Sequence, residues 1–150
     1  MKIFISHKDV DSDVATQINK YLSSRGIQTY LDVLDNSVSG SGKKLTQHLM
    51  RQLNQCTHLM TILSKDTRYS WWVPFEIGMA SQRRFPIANY LVEGVSLPSF
   101  LEYWPRLKRL SDLDKYIIAI HKPEVELNKS FEYKGLEYSD QFHKYLKSIL

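Results

Sequence analysis

Trp72 and Glu76 are the residues whose types and spacing most directly suggest chemistry. Four positions apart in a stretch that reads as the start of a helix, they stack on one face, one turn from each other. An aromatic plate beside a lone carboxylate suits a flat, charged, sugar-bearing ligand. The competing reading is a packed tryptophan and a solvated glutamate, the usual state of both residue types on helices. The segment carrying them runs from Ser64 to Glu76. It leaves an apolar run, crosses a polar turn and enters the helix, with Pro74 in the first turn where its missing N–H is tolerated. Trp71 points off the Glu76 face and is expected to pack.

The rest of the chain must position this pair. Lys2–Ser6 reads as a short buried strand stopped by Ser6-His7-Lys8-Asp9. Asp11 or Ser12 caps a helix with Val14, Ile18, Tyr21 and Leu22 on one face and Gly26 after its end. Ile27–Leu31 is a second strand, and Asp32–Gly42 a polar, exposed loop. A helix over Lys43–Cys56 buries Leu45, Leu49, Leu53 and Cys56; Leu59–Leu63 is a third strand closed by Ser64. Val73, Ile77 and Ala80 face inward from the Trp72/Glu76 helix, and Pro86–Val92 is a fourth strand interrupted by Asn89 and Tyr90. A short helix over Leu97–Tyr103 and a fifth strand over Arg106–Leu110 follow. Ser111-Asp112-Leu113-Asp114 then resembles a capping box ahead of Tyr116, Ile117 and Ile120. Val125–Leu136 alternates loosely, as a hairpin or ordered loop. A last helix carries Phe142, Tyr145, Leu146 and Ile149 on one side, and is expected to pack on its own domain rather than serve as an oligomer contact.

Strand and helix alternating five times predicts an α/β fold, a five-stranded parallel sheet with helices on both faces, plus a C-terminal helical extension. In such sheets ligands sit at the carboxyl ends of strands, near the switch in strand order. Ser6-His7, Asp32 and Ser64 all follow strands in this reading, so they share that edge with the start of the Trp72/Glu76 helix.

Composition narrows the function. The 150 residues suit one domain, and no run approaches the roughly 20 apolar residues that span a bilayer. A single cysteine, Cys56, allows neither a disulfide framework nor a cysteine metal cluster, so a reducing cytoplasm is expected. The net charge of +4 is spread out; its densest group, Arg106, Lys108 and Arg109 near Trp104, is too small to support nucleic-acid binding. His7, His48, His58, His121 and His143 form no metal motif and read as surface or packing residues. A Gly-x-Ser-x-Gly elbow, a P-loop and a Gly-x-Gly-x-x-Gly after the first strand are all missing from the sequence, and Gly40-Ser41-Gly42 reads as a flexible loop. A phospho-receiver domain would want acids at the ends of the first and third strands, where this chain has Ser6-His7 and Ser64-Lys65.

Several segments together resemble a Toll/interleukin-1 receptor (TIR) domain of the bacterial kind. Phe4-Ile5-Ser6-His7 with Asp9 looks like that family's first box. Tyr30-Leu31-Asp32, the polar loop and Gly42 look like its second, the BB loop. Ile62-Leu63-Ser64, Trp72-Val73 and Glu76 look like the third-strand end and catalytic helix of its NAD-cleaving members. Leu97-Pro98-Ser99-Phe100-Leu101 and Trp104-Pro105 also fit. The resemblance covers about residues 2–121, dividing the chain into a TIR domain (1–121), with the flavodoxin-like TIR fold, and a C-terminal extension (122–150) packed on it.

What the resemblance implies is NAD cleavage, by hydrolysis or cyclisation, with Glu76 catalytic. A single carboxylate suffices for a physical reason. The nicotinamide of NAD is already cationic and departs neutral, so no general acid need protonate it. The enzyme has to hold the ribose and stabilise positive charge developing on its ring. On the same resemblance, Trp72 packs against the nicotinamide ribose or a base, and Ser6, His7 and Lys8 lie near the diphosphate. Ser64 lines the site, and Asp32 borders it or caps the BB loop. NAD is substrate, and no cofactor or metal is implied. The nearest functional analogues are TIR subunits of Thoeris antiphage systems, whose cyclic ADP-ribose isomer reaches a separate effector. Self-association is expected. The competing classes are a non-enzymatic interaction module, assembling through the BB loop, and a nucleoside deoxyribosyltransferase-like enzyme using a glutamate on a related fold.

Overall fold

Five runs rich in apolar and β-branched residues pair as one parallel sheet in the order β2-β1-β3-β4-β5. The computed structural model describes residues 1–34, 42–67, 70–122 and 138–150. Its strands are β1 (Lys2–Lys8), β2 (Gln28–Leu34), β3 (His58–Leu63), β4 (Ile87–Leu91) and β5 (Arg106–Leu107). The helices are α1 (Ser12–Ser23), α2 (Gly42–Asn54), α3 (Trp72–Gln82), α4 (Asp112–His121) and α5 (Tyr138–Ile149). Two 3-10 turns, Asp9–Asp11 and Ser99–Tyr103, complete the described elements. The parallel sheet with helices on both faces is the one expected from the alternation, and its order is the flavodoxin-like one that the resemblance implies, with a reversal of direction between β1 and β3.

Right-handed crossovers fix which helix lies on which face. The chain steps from β1 outward to β2, then back across β1 to β3 and onward, so α1 takes one face and α2 and α3 the other. On the first face Ile3, Ile5, Met60 and Ile62 pack against Ile18 and Leu22 of α1, Tyr116 of α4, and Phe142 and Leu146 of α5. On the second, Phe4, Leu59, Leu63 and Ile87 pack against Leu49 and Leu53 of α2 and Val73, Ile77 and Ala80 of α3. Each such fully buried aliphatic or aromatic side chain contributes about 1.5–3 kcal/mol. Gly26, at φ +75°, ends α1 in the left-handed conformation, and the Ile27 N–H reaches back to the Leu22 carbonyl at 3.1 Å.

Several boundaries differ from the expectation, and most for a reason visible in the hydrogen bonding. Ser6, His7 and Lys8 do not stop β1: they pair with Asp32, Val33 and Leu34, which lengthens both strands and puts Asp32 inside β2 rather than after it. β5 is shorter than Arg106–Leu110 because the N–H groups of Lys108 and Arg109 donate to the Asp112 carboxylate at 2.8 and 3.1 Å instead of extending the ladder. Asp112, the first residue of α4, thus ties down the turn before the helix, and Ser111 at the cap position makes no side-chain cap. Asp11 makes no cap for α1 either. Trp71 is the plainest correction: it is 93% exposed, not packed. Residues 35–41 of the polar loop, Arg68, Tyr69 and the Val125–Leu136 stretch lie outside the described residues. Among those described, no helix is long and apolar enough to cross a membrane.

Two core histidines set an acid limit on this fold. Burial pushes His58 and His143 down to about 4 from 6.5. His143 Nε2 accepts the Ile87 N–H at 2.8 Å, so it must be unprotonated there, and a second proton would oppose the β4 donor. As pH falls from about 6.5 towards 4 the unfolded chain takes up these protons and the folded chain does not, so stability drops, by roughly 3 kcal/mol per histidine at most. Urea unfolding across that window is expected to show the loss, reduced in His143→Asn; identical losses in the two proteins would exclude His143 as a source.

Candidate active site

The site is a polar rung in an apolar face. Phe4, Tyr30, Leu59 and Ile87 lie on the α2/α3 side of four adjacent strands. Two residues further along each strand, on the same face by the two-residue alternation, come Ser6, Asp32, Thr61 and Asn89. The register places them side by side: Asp32 opposite Ser6, Ser6 opposite Thr61, Thr61 opposite Asn89. Each is buried, and burying polar groups is costly unless every one is bonded.

Helix α3 supplies part of that bonding through Glu76, which is fully buried. Ser6 Oγ donates to Glu76 Oε2, and the Trp72 indole N–H donates to Oε1 at 3.0 Å, across one turn of the helix. Asp32 stands opposite Ser6 in the β1–β2 ladder, beside the residue that holds Glu76. The Tyr30 hydroxyl lies 3.1 Å from His48 Nε2, which in turn stands 3.8 Å from Asp32 Oδ1. At the other end of the rung Thr61 Oγ1 donates to Asn89 Oδ1 at 2.7 Å, and Asn89 Nδ2 donates to the Leu101 carbonyl at 3.0 Å.

The electrostatics follow from burial. Desolvation raises Glu76 well above the ordinary glutamate range; the Ser6 hydrogen bond opposes the shift and the nearby Asp32 charge adds to it. Burial also raises Asp32, opposed by His48 and Tyr30. His7 is held below the ordinary histidine range by burial.

The structure therefore gathers Glu76, Ser6, Asp32 and Trp72 but separates the other predicted site residues. His7 falls on the opposite face from Ser6, with Ile3 and Ile5, because neighbours in a strand point apart. Lys8 is on the Ser6 face, its ammonium donating to the Asp66 carbonyl at 2.9 Å. Ser64 belongs to a separate buried triad, in which Ser64 Oγ and Thr67 Oγ1 both donate to Asp11 Oδ2, at 2.9 and 2.6 Å. That triad fixes the turn leading into α3. Ser64 Oγ and Thr67 Oγ1 are also 3.0 Å apart, so Asp11→Ala would leave one of the two buried hydroxyls without an acceptor, and is expected to cost about 1–3 kcal/mol in chemical denaturation; a loss below about 0.5 kcal/mol would show the turn to be held otherwise.

Thr61, Asn89, Tyr30, His48 and Asp11 were not singled out for this site by the sequence. The one available signal was positional: Ser6 and Asn89 interrupt apolar strands near their carboxyl ends, as buried site residues do.

A family model described as TIR domain matches residues 3–137, a span that contains the whole rung and Glu76. No curated protein matches the chain.

Proposed function

The chain belongs to the TIR-domain family, and we propose that it is one of the NAD-cleaving members, releasing nicotinamide and forming ADP-ribose or a cyclic ADP-ribose isomer. The observation that carries this reading is Glu76, a fully buried carboxyl group at the reversal between β1 and β3, oriented by Ser6 and Trp72. Structural glutamates seldom sit there: a charge-bearing side chain is buried at cost where chemistry needs it.

In the reaction the bond between ribose C1′ and the nicotinamide nitrogen breaks, its electron pair neutralising the departing ring. The ionised Glu76 carboxylate bonds the ribose hydroxyls and stabilises the cation left on the sugar. Both of its oxygens are engaged in the free protein, so the ribose takes the place of the Trp72 indole N–H, and the freed ring packs on the nucleotide. Ser6 keeps its bond and fixes the carboxylate, Asp32 borders the ribose, and Lys8 is the cation nearest the diphosphate path. Water captures the sugar cation to give ADP-ribose; an adenine nitrogen gives the cyclic isomer. As in the Thoeris TIR subunits it resembles, the product serves as a second messenger to a separate effector protein. NAD incubated with concentrated protein, the products identified by mass, tests the reading: nicotinamide with either product supports it, and NAD recovered intact rejects it.

One observation favours a second reading, an assembly module. Phe75 at 41% and Met50 at 49% exposure line a groove of about 600 Å³ between α2 and α3, and Trp71, just before α3, is 93% exposed. Members of this family commonly self-associate, and a second copy is the occupant proposed for that surface. Trp71→Ser is expected to weaken self-association in sedimentation while changing stability by less than about 0.5 kcal/mol. A wild type that stays monomeric at high concentration would reject this role.

A further inference from the structure

We propose that the carboxyl ends of β3, β4 and β5 form an anion site for a diphosphate group, held by Lys65, Lys108 and Arg109 and separate from the Glu76 rung. The inference does not rest on the NAD-cleaving reading.

The site is a cavity of about 490 Å³, lined by residues 91–95 at the end of β4 and by Lys108 and Arg109 after β5. It shares no residue with the rung. The Val92 N–H donates to the Leu63 carbonyl at 2.9 Å, so the β3–β4 ladder continues to the cavity's edge. The Val95 N–H then closes a turn on the Val92 carbonyl at 3.3 Å. Gly94, inside that turn, has φ +74°, and a Cβ there would stand 3.3 Å from Lys65 Cε and 3.5 Å from Nζ. A glycine is what lets the lysine that follows β3 lie against the cavity. On the far side, the Lys108 and Arg109 N–H groups both donate to the Asp112 carboxylate, at 2.8 and 3.1 Å, which fixes the turn carrying the two cations. Three strand ends thus bring three cations to the edge where parallel sheets bind ligands.

Charge decides what the cavity takes. Cations elsewhere are engaged: Arg25 by Asp114, Arg106 by Glu102, Lys8 by the Asp66 carbonyl. Among the described residues, the side chains of Lys65, Lys108 and Arg109 form no ion pair or hydrogen bond. Glu93 is the cavity's single acid, and the neighbouring Asp112 is committed to two N–H groups and to Lys115 at 3.9 Å. Three cations against one acid leave two positive charges, which a diphosphate neutralises. Arg109 offers a planar fork of donors matched to phosphate oxygens, and the lysines offer point charges. The volume lies within the roughly 300–1,000 Å³ of small-molecule sites, with room for two phosphates and the group that carries them. Three cations suit a small anion; a nucleic-acid backbone needs a longer basic track.

Inorganic pyrophosphate is titrated into the nitrogen-15-labelled protein at constant ionic strength, and the amide resonances are followed. Saturable shifts of Gly94, Val95, Lys108 and Arg109 are expected, and chloride should not reproduce them. Lys108→Gln and Arg109→Gln keep the N–H groups that Asp112 holds, and both positions are exposed, so the fold is spared. Each is expected to weaken binding about tenfold, the loss of one charge-assisted bond. Glu93→Gln should tighten it by roughly two- to fivefold. ADP in place of pyrophosphate identifies the source: tighter binding with the same shifts assigns a nucleoside diphosphate, and equal or weaker binding a diphosphate alone. Shifts that do not saturate, that chloride reproduces, or that centre on Ser6 and Glu76 overturn the site, as does an affinity unchanged in both lysine and arginine variants. A protein that binds pyrophosphate here yet leaves NAD intact refutes the proposed function and keeps the anion site.

Discussion

Glu76→Gln is expected to lower kcat/KM for NAD on the order of 10²-fold or more, the loss typical of removing an electrostatic stabiliser of the transition state. Gln keeps the size and shape of the side chain. Its carbonyl can accept the Trp72 indole N–H and its amide can donate to Ser6 Oγ, so the rung loses a charge but keeps both contacts. Stability should move the other way. The wild type must bury an ionisable group beside another acid, and the amide relieves both the desolvation and the repulsion. An active-site carboxylate is therefore recognised by two readouts together: nicotinamide release that collapses, and a melting temperature equal to or above wild type. Turnover equal to wild type would remove Glu76 from the mechanism. A large loss of activity accompanied by a lowered melting temperature would instead mark Glu76 as a packing residue whose removal disturbs the sheet.

The sheet was readable because its strands are dense in apolar and β-branched residues and its connections are short. Strand ends and the site were harder for one shared reason. Ser, Asp and Asn terminate strands in loops, and the same types form a buried polar rung, so the sequence of Ser6-His7-Lys8 or Asp32 cannot separate the two. What separates them is register. Ser6 stands opposite Asp32 and Thr61 only because three strands align, and that alignment is a tertiary fact. Thr61 looked like any β-branched strand residue, and it is the Asn89 side chain that makes it part of the rung. His7 failed from the opposite direction: grouped with Ser6 by adjacency, it is parted from it by strand alternation, which was available from the sequence. The proximity of Trp72 and Glu76 is legible because helical spacing is local, and four residues suffice to place them together. Trp71 differs from the expectation because an aromatic off the Glu76 face of a helix start need not reach any core at all; here it meets solvent.

Phe142→Ala is expected to destabilise the protein by about 3–5 kcal/mol, lowering the melting temperature on the order of 10 °C. Phe142 is fully buried in α5 and belongs to the core that holds Ile3, Ile5 and Tyr116. Its ring meets Tyr116 edge-on, with centroids 5.7 Å apart and planes at 89°, and His58 at 6.1 Å. Truncation loses the transferred area, leaves a cavity that a helix and a sheet on either side cannot close, and removes both aromatic contacts, each worth about 0.5–1.5 kcal/mol. Ile118, 55% exposed on α4, is the internal comparison, and Ile118→Ala should stay within about 0.5 kcal/mol. The contrast bears on how α5 functions. A helix that only joined two copies would leave the monomer's stability intact, and any loss would depend on protein concentration. Melting Phe142→Ala at two concentrations a hundredfold apart separates these cases: a large, concentration-independent loss makes α5 part of the domain core, and a loss below about 1 kcal/mol would sink that assignment.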